Sequence, residues 1–282
     1  MVDLHLHTTA SDGTDTPRQL VNRAKDKGIS IISVTDHDTV CGIEEARAAL
    51  PLGMTLIDGV EFSCVSSGEG KFRCHILGYG IDPGCDAINY AIKRGIDKRR
   101  EKLLARLDYL KSGFGICFSP DEEEGLFSAN STGKLHIARL LIEKGYAASV
   151  SEAIEKYLGI RLPDDRIDAS LAIEAIIASG GIPVYAHPIG GEREKRLDSQ
   201  ELFRRARELR ELGVRGLEAY YSRYTARDRA PILEAASELG MLVSGGSDYH
   251  GENKTVPLGC LSADGERVDG SVLTVLSLLH GD

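Results

Sequence analysis

The sequence predicts an α/β protein whose sheet or barrel is built from parallel strands. A strand–helix–strand alternation runs along residues 2–80 and resumes after residue 165. Polar, titratable residues repeatedly follow apolar strands, which is where barrel enzymes place their chemistry. Between the two halves, residues 82–164 carry helical patterns without an intervening strand pattern. We therefore expect a barrel domain formed by residues 1–81 and 165–282, with a helical insertion at 82–164. The alternative is that these helices are ordinary outer helices of the barrel.

The first strand is predicted at residues 2–6 because polar and aliphatic residues alternate there with a period of two. Asp3, His5 and His7 therefore share one face of the strand. Two imidazoles one strand step apart can bind one metal ion, since neutral imidazole is the commonest metal ligand in proteins. The short motif taken alone is also compatible with two half-buried structural histidines.

The other elements follow from apolar runs and from helix start and stop signals. Thr16-Pro17 starts the first helix, with Pro at its first position, and Gly28 ends it. Further strands are expected at 29–34, 54–62, 71–80, 181–186, 216–220 and 241–244. Further helices are expected at 42–50, 86–111, 133–144, 149–157, 170–179, 199–212, 226–239 and 271–279.

Composition and charge limit the classes of function. The chain has 282 residues, 42% of them hydrophobic, and a net charge of −9. An extended nucleic-acid surface is not expected, because phosphate backbones bind clustered Lys and Arg. No apolar run reaches membrane-spanning length, no signal peptide precedes the first strand, and the six cysteines form no C-x-x-C pair. We expect a cytoplasmic protein with reduced thiols and no membrane partner. The sequence predicts no oligomeric state.

Nine polar residues at predicted strand ends are candidate metal ligands, and they include six of the eight histidines of the chain. Six imidazoles and three carboxylates exceed what one ion can use, and they suit two or three divalent ions such as Mn, Zn or Fe. A carboxylate such as that of Glu61 can bridge two ions. The sequence contains no serine nucleophile elbow and no Gly-rich phosphate loop. The nine residues are His5, His7, Asp12, His37, Glu61, His75, His187, Asp248 and His250.

Six motifs in both halves of the chain carry a family resemblance. They are Asp3-Leu4-His5-Leu6-His7, Thr35-Asp36-His37, Gly59-Val60-Glu61, His75, Ala186-His187-Pro188 and Gly246-Ser247-Asp248-Tyr249-His250. By these motifs the chain resembles the polymerase and histidinol phosphatase (PHP) family of metal-dependent phosphoesterases. The resemblance implies a distorted (β/α)7 barrel with a trinuclear metal centre, for which manganese is the first expectation and zinc or iron the alternatives.

The resemblance also implies which ligands hold which ion. The first ion would be held by His5, His7, Glu61 and Asp248, the second by Glu61, His75 and His187, and the third by Asp12, His37 and His250. Glu61, His187 and Asp248 are the residues expected to be central to catalysis. Asp36 is expected either to support a ligand from behind or to cap the next helix.

The insertion resembles that of the family branch that hydrolyses small phosphate esters, where it covers the site. Residues 133–139 resemble the branch's Gly-Arg-Pro-His-x-Ala-Arg element, with Lys134 and Leu135 in place of Arg-Pro. His136 and Arg139 would share one helix face and could meet a phosphate, or could belong to an ordinary solvated face.

The remaining expected substrate contacts are weaker matches. Arg161 lies where the branch often has a Lys-Pro pair, and Ser222 and Arg223 are expected at the rim from their position alone. The full set of expected substrate contacts is Lys134, His136, Arg139, Arg161, Ser222 and Arg223.

The expected function is hydrolysis of small phosphate esters, such as nucleotides or nucleoside bisphosphates, through a metal-bound hydroxide. The alternative is a cyclic phosphodiesterase that hydrolyses both ester bonds of a sugar cyclic phosphate in turn. The departures at residues 134–135 and 160–163 keep this alternative open. A proofreading exonuclease module is a third interpretation, against which the acidic charge argues. Metal-dependent amide hydrolysis is a fourth interpretation, because the spacing of the candidate ligands is also compatible with a carbonyl substrate.

Overall fold

A computed structural model describes residues 1–68, 70–128, 134–160, 162, 164, 166–191, 194–266 and 268–279. The chain forms two compact units, Met1–Ile92 with Ile167–Asp282, and Lys93–Arg166. The strands are β1 (Val2–Leu6), β2 (Ile31–Val34), β3 (Thr55–Ser66), β4 (Phe72–Tyr79), β5 (Ile167–Asp168), β6 (Ile182–Tyr185), β7 (Gly216–Tyr221) and β8 (Leu242–Gly246). The α-helices are α1 (Pro17–Asp26), α2 (Gly42–Ala48), α3 (Asp86–Phe114), α4 (Pro120–Ser128), α5 (Lys134–Glu143), α6 (Val150–Tyr157), α7 (Ala169–Ala178), α8 (Ser199–Glu211), α9 (Ala226–Leu239) and α10 (Leu276–Leu279).

The first unit is built on a barrel-shaped sheet. Seven strands follow the order β1-β2-β3-β4-β6-β7-β8, and the two-residue β5 pairs with β3. The chain beyond β8 returns to β1, where the Asp248 amide donates to the His5 carbonyl at 2.9 Å and the His7 amide donates to the Tyr249 carbonyl at 3.0 Å. These bonds nearly close the sheet. The predicted distorted seven-stranded barrel is therefore confirmed.

One strand runs against the others, which corrects the expectation of parallel strands throughout. β4 is antiparallel to both β3 and β6, whereas the other neighbours in the barrel are parallel. The connection at residues 67–71 is too short for the crossover that a parallel strand requires. Glu61 and His75 consequently lie inside long strands, not at carboxyl ends, because β3 and β4 stay paired out to Ser66 and Phe72.

Apolar helix faces cover the barrel from outside. Ile173 on α7, Leu202 on α8 and Ile232 on α9 are buried in one cluster with Phe62 and Leu217 of the sheet. Burial of each large aliphatic side chain contributes on the order of 1.5–3 kcal/mol. The outer face of the sheet is thereby buried under the apolar faces of these helices.

The predicted start of the first helix is confirmed. Thr16 caps α1 and forms a capping box with Gln19, and Pro17 occupies the first helical position. Thr225 caps α9 in the same way with Asp228. The predicted final helix is shorter than expected, because a 3₁₀ turn at Gly270–Val272 precedes α10. Helix α4 and strand β5 were not predicted.

The second unit has a core of its own. Leu103 and Leu110 of α3 are buried with Ile137 and Leu141 of α5 and with Leu158 after α6. The boundary between the units falls inside α3, because Ile88 and Ala91 at its start are buried in the core of the first unit. The predicted bounds of 82–164 differ from these, and the role of the insertion as a cap stays a prediction.

The length and hydropathy of the helices decide whether any of them could span a membrane. Within the described part of the chain, none of them combines the length and the apolar character needed to cross a bilayer. The cytoplasmic location stays a prediction from the sequence.

Closure of the barrel depends on a glycine. A Cβ at Gly246 would lie 2.8 Å from the His5 Cα and closer still to the His5 backbone nitrogen. We expect Gly246→Ala to lower the free energy of unfolding by about 1–3 kcal/mol, because neither backbone can retreat without breaking the contact between β8 and β1. Urea unfolding monitored by circular dichroism measures the change.

Gly125 in α4 supplies the matched control. A Cβ there meets nothing within 4 Å, so Gly125→Ala should be neutral or raise stability by up to about 1 kcal/mol. Equal effects of the two substitutions would contradict the assignment of Gly246 to a tight closure.

Candidate metal centre

The structure brings the nine predicted ligands together at one end of the barrel. His5 lies on β1, and His7 and Asp12 follow it; His37 follows β2. Glu61 and His75 lie on β3 and β4, whereas His187 follows β6 and Asp248 and His250 follow β8. The antiparallel direction of β4 places its first half beside the second half of β3, so that His75 reaches the same end as the other ligands.

Ligand atoms of these residues form three groups, and within each group all the atoms lie within 4.8 Å of one another. The first group is His5, His7, Glu61 and Asp248; the second is His37, Glu61 and His75; the third is His7, Asp12, His37 and His250. The first group has the membership expected for the first ion. The other two differ from the expected sets because His7 and His37 are shared between groups, and His187 joins none. His187 Nε2 nevertheless lies 3.3 Å from Glu61 Oε1.

Glu61 lies at the centre of the cluster. Its two carboxylate oxygens face different rings, which is the arrangement that a bridging carboxylate requires. Oε2 lies 3.2 Å from His5 Nε2, 3.2 Å from His7 Nε2 and 3.0 Å from His37 Nδ1. Oε1 lies 3.0 Å from His75 Nδ1 and 3.3 Å from His187 Nε2.

Buried polar atoms without hydrogen-bond partners test whether the cluster fits metal ions. An unsatisfied buried polar atom costs about 1–3 kcal/mol, so such atoms are rare and call for an explanation. Six of those found among the described residues belong to this cluster: His5 Nε2, His7 Nδ1, His7 Nε2, His37 Nδ1, Glu61 Oε2 and His250 Nε2. Imidazole nitrogens and carboxylate oxygens converging without partners fit borderline divalent cations.

The pKa values of the clustered imidazoles and carboxylates are shifted by one another. Burial alone would lower the pKa of His5, but the carboxylates of Glu218, Glu61 and Asp248 raise it well above its ordinary value. Burial by itself would also lower the pKa of His7, yet the nearby carboxylates of Asp248 and Glu61 raise it to about 9. Burial by itself would raise the pKa of Glu61, whereas the surrounding imidazoles hold it well below the usual range. The carboxylates are therefore ionised and ready to bind cations.

The third group differs electrostatically from the first. Burial lowers the pKa of His37 to about 3, and burial also lowers that of His250. These imidazoles are neutral at pH 7 and can bind a cation without first losing a proton.

Asp36 holds the loop that carries Asp12. Its carboxylate is buried and accepts hydrogen bonds from the Thr8 amide at 2.7 Å, the Thr8 hydroxyl at 2.7 Å and the Ser11 hydroxyl at 2.6 Å. Cys41, and not Asp36, occupies the N-cap position of α2. Of the two roles expected for Asp36, support of a ligand loop is the one that these contacts favour.

Two predicted ligands adopt a strained backbone. His187 has φ +31° and Asp248 has φ +57°, a region that residues other than glycine rarely adopt. Such a conformation costs on the order of 1–3 kcal/mol and persists where surrounding contacts enforce it. Asp248 Oδ2 accepts from the Tyr221 hydroxyl at 2.9 Å and from Lys254 Nζ at 2.7 Å, which leaves Oδ1 facing His7 Nε2 at 3.3 Å.

Sequence reasoning missed three supporting residues, Glu218, Tyr221 and Lys254. Glu218 is buried and hydrogen-bonds His5, while the other two hold Asp248. A single carboxylate in the otherwise apolar strand β7 was a usable signal, because a buried charge in such a strand needs a partner. Nothing in the local sequence marks Tyr221 or Lys254.

The expected substrate contacts lie in both units. Lys134 is the first residue of α5, and His136 (partly buried) and Arg139 (exposed) follow one turn apart on that helix. In the first unit, the buried Ser222 and the partly buried Arg223 follow β7. Arg161 lies outside the described residues. The role of all these residues stays a prediction.

Comparison with known families agrees with the fold and the cluster. A sequence profile of the PHP domain matches residues 3–166. The chain belongs to the PHP domain family. Phosphoesterases of this family are metal-dependent, which agrees with the ligand groups at the end of the barrel.

Curated relatives match the chain along most of its length. A phosphoribosyl 1,2-cyclic phosphate 1,2-diphosphodiesterase from Eggerthella lenta is 32% identical, covering 90% of this chain and 96% of its own length. A 5′-3′ exoribonuclease from Haemophilus influenzae is 32% identical, with 88% and 89% covered. A 3′,5′-nucleoside bisphosphate phosphatase from Chromobacterium violaceum is 30% identical, with 88% and 87% covered.

A solved structure agrees with the assignment to the PHP domain family. A protein from Bifidobacterium adolescentis, described as a candidate metal-dependent phosphoesterase, superposes with a TM-score of 0.71 at 28% identity, covering 94% of this chain and 93% of the other. Taken with the family, this likeness makes the chain a hydrolase that acts on phosphoric esters.

The raised pKa values of His5 and His7 predict that metal affinity depends on pH. Protons on these rings must leave before the nitrogens bind a cation, so affinity should rise with pH from about pH 6.5 to the His7 pKa of about 9. The rise should reach up to about tenfold per pH unit for each displaced proton. Calorimetric titration with Mn²⁺ in two buffers of different ionisation enthalpy counts those protons. An affinity that stays constant over this range would contradict the assignment.

The central position of Glu61, with its two oxygens facing different rings, predicts a large effect of Glu61→Gln. An amide offers one oxygen where the cluster requires two, so we expect loss of bound metal and a fall in kcat/KM of more than about 100-fold. Metal analysis of the purified protein and phosphate release assays measure both. Glu45→Gln is the control, since Glu45 is exposed on α2, accepts a hydrogen bond from the Arg18 amide and belongs to none of the three ligand groups. Normal metal content in the Glu61 variant would count against a bridging carboxylate.

Proposed function

We propose that this protein hydrolyses phosphomonoesters of small nucleotides, with 3′,5′-nucleoside bisphosphates as the first candidate, at a cluster of two or three divalent ions. The observation that carries the proposal is the set of three ligand groups that share Glu61, His7 and His37. Shared ligands favour ions a few ångströms apart, an arrangement suited to charged phosphoryl oxygens. Manganese is the metal proposed first, with zinc and iron as alternatives.

The proposed ligands follow from the groups together with the expected sets. They are His5, His7, Asp12, His37, Glu61, His75, His187, Asp248 and His250. Divalent ions bound there would lower the pKa of a coordinated water and neutralise the non-bridging oxygens of a phosphoryl group.

The chain's own residues orient the reacting groups. Glu61 presents one oxygen to each side of the cluster, and Asp248 is fixed by Tyr221 and Lys254 so that its Oδ1 faces the ligands. Arg139 and His136 of α5 are proposed contacts for the part of the substrate remote from the reacting phosphate. An Arg side chain suits that role because it forms paired hydrogen bonds to phosphate oxygens.

A second candidate is the opening of a sugar cyclic phosphate followed by release of phosphate. The observation that favours it is the relative from Eggerthella lenta, which matches over a larger share of both chains than the bisphosphatase does. The exoribonuclease relative makes the 5′ end of an RNA a third substrate to be tested.

Phosphate release from a small panel separates these candidates. Protein loaded with Mn²⁺ is assayed on a 3′,5′-nucleoside bisphosphate, on phosphoribosyl 1,2-cyclic phosphate and on a short 5′-phosphorylated RNA. We expect the highest kcat/KM on the bisphosphate and no turnover after chelation, since specificity is a ratio of kcat/KM values.

The outcomes of the panel are distinct. A higher kcat/KM on the cyclic phosphate would replace the first candidate by the second. A higher value on the RNA would make the protein an exonuclease. Absence of metal-dependent turnover on all three substrates would sink the proposed function.

A further inference from the structure

Glu218 is a buried carboxylate that serves two different ligand segments. It lies on β7, within a strand that is otherwise apolar or aromatic, and its side chain has no solvent exposure. Its Oε1 lies 2.8 Å from His5 Nδ1, and its Oε2 accepts a hydrogen bond from the His187 backbone amide at 2.8 Å. Both oxygens are therefore engaged, and each holds a residue of the candidate metal centre.

The bond to His5 determines which ring nitrogen faces the cluster. A carboxylate oxygen only accepts, so Nδ1 carries the proton and donates it to Glu218. The opposite nitrogen, Nε2, then points at Glu61 Oε2 at 3.2 Å and at Asp248 Oδ1 at 3.6 Å. A metal-binding imidazole commonly needs such a partner, which fixes both the tautomer and the orientation of the ring.

The hydrogen bond between the His187 amide and Glu218 constrains the backbone of His187. His187 has the strained φ of +31°, and its amide hydrogen bond to Glu218 helps to hold that conformation against the cost of strain. Its Nε2 reaches Glu61 Oε1 at 3.3 Å. Glu218 thus acts on both sides of the bridging carboxylate, through His5 at one oxygen and through His187 at the other.

We propose that Glu218 is a positioning residue that couples two ion sites, the one that includes His5 and the one that the family resemblance assigns to His187. The inference rests on the proposed function, because it assigns Glu218 a role in the metal cluster. The remaining group is His7, Asp12, His37 and His250, and the two hydrogen bonds of the Glu218 carboxylate go to His5 and His187, which are not members of it. Removing the carboxylate should weaken two sites together and spare the third.

Glu218→Gln tests the role with little change of shape. An amide has one oxygen and one NH₂ group, whereas His5 Nδ1–H and the His187 N–H both require an acceptor. One of the two donors must then face the NH₂ group. We expect Mn²⁺ affinity to fall by about 10–100-fold at two sites, the range found for outer partners of metal ligands.

The measurement is a calorimetric Mn²⁺ titration of metal-depleted protein, with metal analysis after dialysis. Glu201→Gln is the matched control, since Glu201 pairs with Arg204 and Arg205 on α8. Thermal unfolding of the metal-free proteins shows whether each variant is folded. Loss of two sites with retention of one supports the inference, because general destabilisation would not select between sites. Unchanged affinity at every site would overturn it while the proposed function stands.

A measurement on the wild-type chain covers the case in which Glu218→Gln does not fold. In ¹⁵N-labelled protein loaded with Zn²⁺, NMR should find the His5 proton on Nδ1 and the metal on Nε2. A proton on Nε2 would overturn the inference. Absence of any Mn²⁺ or Zn²⁺ binding by wild-type protein would overturn the proposed function and this inference with it.

Discussion

The carboxylate of Glu61 is buried among five imidazole rings. Much of the first unit holds these rings in place, and the rings compensate the buried negative charge. An ionised carboxylate out of water is stable only beside positive charge or hydrogen-bond donors. The rings of His5, His7, His37, His75 and His187 supply that environment from β1, β2 and β6 and from the antiparallel β4. The same geometry that accepts protons in the metal-free protein presents lone pairs to cations once those protons leave.

Hydrogen bonds from neighbouring residues of the barrel domain hold the candidate ligands in place. Asp36 fixes the loop that carries Asp12, Glu218 fixes His5, and Tyr221 with Lys254 fixes Asp248. These partners leave the ligand atoms unsatisfied and facing one another, which would be a net cost in a protein without bound ions. Such preorganisation favours metal binding, since little rotamer freedom remains to be lost when an ion enters.

The relatives match this chain along most of its length under names that give three different substrates, a cyclic phosphate, a bisphosphate and an RNA. Membership of the family therefore fixes the phosphoesterase activity and leaves the substrate open, since one fold can carry several functions. The inserted helices have a separate core, so their surface can vary without disturbing the ligands.

Local sequence was sufficient for the period of β1, the cap of α1 and the residue types of the cluster, because these depend on neighbours a few positions apart. It was not sufficient for the direction of β4, which moved Glu61 and His75 from strand ends to strand interiors. Nor did it reveal the sharing of His7 and His37 between ligand groups or the support given by Glu218. Those features join residues as far apart as His5 and Glu218, and closure of the sheet alone sets which atoms meet over such separations.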